Sequence, residues 1–432
     1  MFNNKMITSM RNLKLLAGAI AIVAFASCSN DQVVSNVETA QVAQQSIGFS
    51  PLTKGATRGV VNAAADLGDF AVTAYVNTPA AAGAQDYYYG SATPTNETLT
   101  SGTVYKGMQN IKIEYNAGAW DYANAADMKY WPYIKNGNTY ESTTSLDFEA
   151  ISPASIGATA AADGKFTSAY AGGTIQKYTA GTDDVCYAKT TGAKQADGVV
   201  KMQFKHLLSQ VVFAAKQASG LTVDISEIKL AKVPNQAGWA SDVWTIDGAS
   251  TTADYDGVSG AVTVTASGDA ATAQVLTAAG SEILLIPQDA SLLTYDPADL
   301  GTTSTTPGKT WAVEDLGTTA VDHWDPATNE ATDKLFLKVT LRIKAADGTY
   351  SLGTATTYES IYFAVKTNWQ AGKKYTYTLL FGGVKGPDGG TATSSDIAGG
   401  TYNDGEAVFT ATPITFTASV TDWVDADSQI AL

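Results

Sequence analysis

The chain has 432 residues and carries 27 Lys and Arg against 42 Asp and Glu, a formal net charge of −15. So acidic a surface argues against nucleic acid or anionic lipid as a partner. With 2 histidines and 2 cysteines in the whole chain, most zinc sites, histidine-based triads and disulfide frameworks drop out, and neither a metal nor a cofactor is expected.

The chain opens with Lys5, Arg11 and Lys14, followed by an apolar run from Leu15 to Phe25 and small residues ahead of Cys28. That order predicts a secretory signal over 1–27 and a lipoprotein-type cleavage site, with Cys28 as the lipidated residue. The apolar run falls short of the ~20 residues that span a bilayer as a helix. Ser29 to Gln45 is polar and little patterned, a tether by composition.

Next comes SIGFSPLTKGATRG, Ser46 to Gly59. Ile47 and Phe49 alternate with Gly48 and Ser50, which predicts a half-buried strand that Pro51 should end. Behind it a polar stretch closes on Arg58-Gly59, where extended backbone suits a protease. A cut after Arg58 would withdraw Ile47 and Phe49 from a finished sheet. The groove left behind, with unpaired backbone groups, suits a strand from another chain. An ordinary first strand followed by a surface loop is the alternative reading. Residues 28–58 are therefore expected to be a lipidated leader with a removable strand.

The remainder alternates with period 2. Phe70, Val72, Ala74 and Val76 share one face of a predicted strand, and Ile111, Ile113 and Tyr115 share one face of another. Leu335, Leu337, Val339, Leu341 and Ile343 face one way in KLFLKVTLRIK, with Lys338, Thr340, Arg342 and Lys344 on the other, wet face. Tyr375, Tyr377, Leu379 and Phe381 repeat the pattern, as do Ile414, Phe416, Ala418 and Val420 near the C-terminus. Turn-rich connections between short strands predict an all-β protein of sandwiches. A boundary is placed after VVKMQFKHLLSQVVFAAK, giving domains 59–216 and 217–432. Two long connections, 289–333 and 382–406, stand out.

The search for chemistry returns little. Cys186, between Val185 and Tyr187, is expected to be a buried structural thiol, because its segment offers no basic neighbour to activate it. His206 is expected to be structural, and His323 has no spaced partner. GTTSTTPGKT fails the phosphate-loop spacing, since the required first glycine would fall at Thr303. No catalytic set emerges, and the chain is not expected to be an enzyme.

Taken together, several stretches resemble the fimbrillin family of Bacteroidales-type bacteria, the type V pilins. They are the lipobox Cys28; IGF at Ile47 to Phe49 with TRG at Thr57 to Gly59; LGDFAVTAYV at Leu67 to Val76; KYWPY at Lys129 to Tyr133; and LDFEAISP at Leu146 to Pro153. FKHLLSQVVFAAK at Phe204 to Lys216, LLIPQ at Leu284 to Gln288, NWQAGKKYTYTL at Asn368 to Leu379 and SVTDW at Ser419 to Trp423 complete the set. The resemblance implies two transthyretin-like β-sandwich domains in tandem, made as an outer-membrane lipoprotein. It also implies cutting by an arginine-specific protease at Arg58 and polymerisation with other fimbrial subunits by strand exchange, in the shaft or tip. The run of acids that many surface-bound members carry after the cysteine is reduced here to Asp31.

The donor strand is expected from the C-terminal segment, with Ile414, Phe416 and Val420 on one apolar face and Ile430 and Leu432 as further anchors. Alternatively SVTDW closes its own sandwich and only the tail is free. Two other function classes stay open: a surface lipoprotein that binds glycan or host ligand without polymerising, and a surface hydrolase.

Overall fold

The computed structural model describes residues 46–53, 67–79, 85–88, 95–136, 139–141, 144–246, 252–278, 282–288, 335–364, 369–382 and 414–422. These residues form β-strands arranged in five sheets, accompanied by short 3-10 turns. The protein is all-β.

In chain order the first half supplies β1 (Phe49–Thr53), β2 (Asp69–Thr78), β3 (Ile111–Asn116), β4 (Ala119–Tyr122), β5 (Ser145–Ser152), β6 (Thr174–Thr179), β7 (Cys186–Ala193) and β8 (Val200–His206). All but β6 join one seven-stranded sheet in the order β1-β8-β7-β5-β2-β3-β4. One face carries Phe70, Val72, Ala74, Phe148, Met202 and Phe204 into a core that also holds Trp131 and Tyr105. The predicted alternation in β2 is present, yet Thr73 and Tyr75 are buried as well. Their face is covered by chain from Phe166 to Tyr178 and by Trp239, which pack with Ala71, Ile151 and Tyr187 in a second core. On β3, by contrast, Ile113 is buried and Tyr115 is 39% exposed, because β3 lies near the sheet's far edge.

The second half supplies β9 (Ser209–Gln217), β10 (Thr222–Pro234), β11 (Gln236–Ala240), β12 (Thr252–Thr263), β13 (Phe336–Lys344), β14 (Lys373–Phe381) and β15 (Ile414–Asp422). β9, β14 and β15 lie side by side in one sheet, and β12, β10 and β13 in another. Between the two sheets sits one core. Val211, Phe213 and Ala215 of β9 and Tyr377, Leu379 and Phe381 of β14 enter it from one side, and Ile225, Leu230, Leu337 and Leu341 from the other. The predicted inward face of β13 is fully buried at Leu337, Val339, Leu341 and Ile343.

The expected boundary after Lys216 falls within a strand. Lys216 lies inside β9, which pairs in parallel with β14 from Gln210↔Lys374 to Gln217↔Phe381. The chain crosses between sheets at Leu207–Leu208, and the apolar run hides the crossing because both leucines are buried in the second core. A further sheet ties the halves together, with β6 pairing antiparallel to β11 through Ile175↔Trp239. Trp244 Nε1 then donates to the Leu207 carbonyl at 2.7 Å.

Candidate functional site

β1 is the feature around which a site can be built. It forms one edge of the seven-stranded sheet and pairs in parallel with β8, from Phe49↔Val200 to Thr53↔Phe204. The Val200 amide donates to the Gly48 carbonyl at 2.9 Å. In a parallel ladder alternate residues bond to the same neighbour, so Gly48, Ser50 and Leu52 address β8. Pro51 was expected to end the ladder, but the strand runs through it to Thr53. The missing N–H of Pro51 points away from β8, at an edge where no ladder bond is lost.

The other side of the strand meets the chain after β4. The Ile47 amide donates to the Lys129 carbonyl at 2.8 Å, and the Tyr122 hydroxyl donates to the Ile47 carbonyl at 3.0 Å. Burial pushes the Tyr122 phenol up, so it stays a donor. Ile47 is wholly buried and Phe49 nearly so. The Phe49 ring meets Phe70, Phe148 and Tyr122 edge-on, with centroids 5.9, 5.7 and 6.2 Å away. A Cβ on Gly48 between them would stand 3.2 Å from Cγ1 of the exposed Val199. Removing residues 47–49 would therefore uncover an aromatic pocket walled by Phe70, Tyr122 and Phe148, and free the Val200 amide, the Lys129 carbonyl and the Tyr122 hydroxyl.

Of the other predicted site residues, Cys28, Arg58, Gly59, Ile430 and Leu432 lie outside the described residues, as do His323, GTTSTTPGKT and the long connection 289–333. Ile414, Phe416 and Val420 belong to β15, paired antiparallel with β14 at Phe381, Leu379 and Tyr375. β15 is thus the closing edge strand of its own sheet, with Trp423 and the tail outside the described residues. The structure therefore brings Ile47 and Phe49 together in one core and places the described donor candidates, Ile414, Phe416 and Val420, in a separate sheet.

Two buried clusters were missed. Cys186 does have a basic neighbour, because the β7–β8 ladder sets it opposite His206, whose Nδ1 lies 3.4 Å from Cys186 Sγ and 2.8 Å from Asp184 Oδ2. That correction does not yield a nucleophile. Desolvation, with the Asp184 carboxylate beside it, holds the thiol well above its ordinary range. The second cluster centres on Glu149, 1% exposed. Its carboxylate accepts from the Tyr187 hydroxyl at 2.7 Å, from the Gly173 and Ala169 amides at 2.8 and 3.1 Å, and from Ser168 Oγ. Its neighbour on the same strand face, Asp147, accepts from Asn77 Nδ2 at 2.6 Å and the Gly192 amide at 2.7 Å. Glu149 has fixed donors on both oxygens and Asp147 two on Oδ1, a structural arrangement. The spacing in LDFE puts the pair on one strand face; only the fold supplies the donors.

A family model described as fimbrillin-like matches residues 57–423 of the chain. No curated protein gives a match. Among solved structures, a fimbrial protein from Bacteroides vulgatus ATCC 8482 is 15% identical, with 88% of this chain and 99% of that one covered at a TM-score of 0.45. The tip fimbrial protein Mfa3 from Porphyromonas gingivalis, with a C-terminal truncation, is 10% identical, with 83% and 96% covered at a TM-score of 0.25.

Proposed function

The chain belongs to the fimbrillin-like family, and from that premise we propose that it is a structural subunit of a cell-surface fimbria, in the shaft or at the tip. In this reading it is made as a lipoprotein precursor, acylated on Cys28 and held at the outer membrane. An arginine-specific protease cuts after Arg58, Gly59 becomes the new N-terminus, and subunits polymerise by donor-strand exchange. Two transthyretin-like sandwiches in tandem, meeting near Leu207–Leu208, form the body of the subunit.

The observation that carries the reading is the setting of β1. A parallel strand at a sheet edge, with Ile47 and Phe49 sunk into the core, is the piece whose loss opens a groove without dismantling the sheet. Burying a Phe or Ile side chain contributes roughly 1.5–3 kcal/mol, so an incoming strand that refills the pocket recovers what the departing one gave up. The donor is the C-terminal segment, through Ile414, Phe416 and Val420 or through Ile430 and Leu432. Since β15 is laddered along its whole length to β14, donation by the tail costs less than donation by β15.

Mass spectrometry of material sheared from cells tests the reading. A new N-terminus at Gly59 is expected. Sheared protein that begins at Cys28 or Ser29, with no peptide starting at Gly59, would sink it and leave the non-polymerising surface binder in its place. The donor assignment is tested separately by deleting Gln429 to Leu432, which should leave a folded monomer that no longer forms ladders after the cut.

A further inference from the structure

Asp184, Cys186 and His206 form a compact set that strand pairing alone does not require. Residues two apart on an extended chain share a face, which puts Asp184 beside Cys186, and β8 presents His206 opposite Cys186. One ligand atom from each residue lies within 4.8 Å of the other two, and all three residues are buried. We propose that Asp184, Cys186 and His206 bind a divalent transition cation, with zinc the best match.

The donors are the thiolate, imidazole and carboxylate that zinc takes. A tetrahedral zinc with bonds of about 2.0–2.3 Å holds its ligand atoms roughly 3.3–3.7 Å apart. The 3.4 Å between His206 Nδ1 and Cys186 Sγ already fits, and the 2.8 Å to Asp184 Oδ2 has only to open slightly. Charge fits too. A dication with one thiolate, one carboxylate and a neutral imidazole sums to zero, so the occupied site carries no unbalanced buried charge. Binding releases the thiol proton to solvent and leaves the imidazole proton on Nε2.

The location gives the ion a role. β8 pairs with β1 at five residues from Val200 to Phe204, but with β7 only at Cys186↔His206 and Tyr187↔Lys205. Once β1 is gone, the wall of the groove is laddered to its sheet at the end where the cluster sits. A metal there pins that wall while the groove is open. This role rests on the strand-displacement reading; the binding site does not.

The test is a titration of the full chain carrying Cys28→Ala, so that Cys186 is the single thiol, with Co²⁺ as probe. A thiolate-to-cobalt charge-transfer band and tetrahedral visible bands should saturate at one equivalent and be displaced by Zn²⁺. The band should vanish in Cys186→Ser, and affinity should fall at least about tenfold in His206→Gln and Asp184→Asn, since loss even of the groups that orient metal ligands costs about 10–100-fold. Absence of the band from the protein with all three ligands intact overturns the site, whatever the variants do; undiminished affinity in Asp184→Asn overturns the three-ligand assignment. For the role, Zn²⁺ should slow hydrogen exchange across Val200 to His206 in protein cut at Arg58. Zinc that binds without that protection overturns the pinning and leaves the site standing.

Discussion

The first and last described strands both sit at sheet edges, and they are held in opposite ways. β1 spans five residues and pairs in parallel, whereas β15 spans nine and is antiparallel in unbroken register from Phe381↔Ile414 to Lys373↔Asp422. Parallel pairing is slightly weaker per residue, and a net backbone hydrogen bond is worth about 0.5–1.5 kcal/mol. The ladder of β15 therefore outweighs that of β1. β1 relies instead on two side chains, Ile47 and Phe49, in a pocket at its N-terminal end. A strand gripped at one point can be released by a cut behind it. One gripped along its length has to be peeled.

The most damaging change on this view is Arg58→Ala. If the release of β1 is the gate to assembly, it should abolish ladder-forming polymer while the precursor remains folded, as read by gel ladders of surface material. Polymer at the wild-type level would remove the contrast between the two edges, because neither strand would then need to leave. Phe49→Ala comes next. Truncating a buried Phe typically costs about 3–5 kcal/mol, so urea unfolding of the uncut precursor should shift by that order. If cutting removes residues 47–49, polymer sheared from cells should be indifferent. Equal destabilisation of both would mean that the strand stays in place.

A third change probes the second half, away from β1. A Cβ on Gly257 of β12 would lie 2.2 Å from Cδ2 and Cε2 of the wholly buried Phe213 ring, in the core between the two sheets. Overpacking of this kind costs about 1–3 kcal/mol. Gly257→Ala should therefore destabilise precursor and sheared subunit alike, which is the reverse of the Phe49 result. A loss seen in the precursor alone would show that the two halves do not unfold as separate responses to their own cores.

How much of this was legible depended on whether the deciding partner was local. The alternation of Ile47 with Phe49 and the inward face of β13 could be read directly, because each strand has one face turned to a core. Burial of Thr73 and Tyr75 could not, since the chain that covers them comes from Phe166 to Tyr178 and from Trp239. Pro51 misled because a prohibition on proline holds for ladder-facing amides, and register decides which way an amide faces. The crossing between sheets was hidden for a similar reason. Leu207 and Leu208 look like the middle of an apolar strand, yet they are buried between the halves. Cys186 and His206 are separated by 20 positions and meet through strand pairing that no local pattern announces.

The smallest expected effect lies on the outer face of β10 and β13, where Glu227 is part-exposed, in contrast to the buried Glu149 of β5 in the first half. Glu227 Oε2 lies 2.8 Å from Lys338 Nζ and Oε1 lies 3.2 Å from Lys229 Nζ, with the glutamate side chain 29% exposed. Hydrogen bonding from Lys338, reinforced by Lys229, holds its carboxyl below the ordinary 4.5. A carboxyl depressed in the folded state contributes stability that is fully present above its unfolded pKa and lost as the pH falls through the folded one. Replacing it with the uncharged amide, Glu227→Gln, should cost less than about 1 kcal/mol at neutral pH, because a pair this wet is screened. The difference from the parent should shrink as the pH drops below 4.5, and shrink again in high salt at neutral pH. Urea midpoints of the two proteins across that range measure it. A gap that stays constant down to the acid limit would assign the effect of Glu227 to the hydrogen bond its Oε2 accepts from the Thr340 hydroxyl at 3.3 Å, and not to charge. Glu227 would then resemble the buried Glu149, which serves as a fixed acceptor.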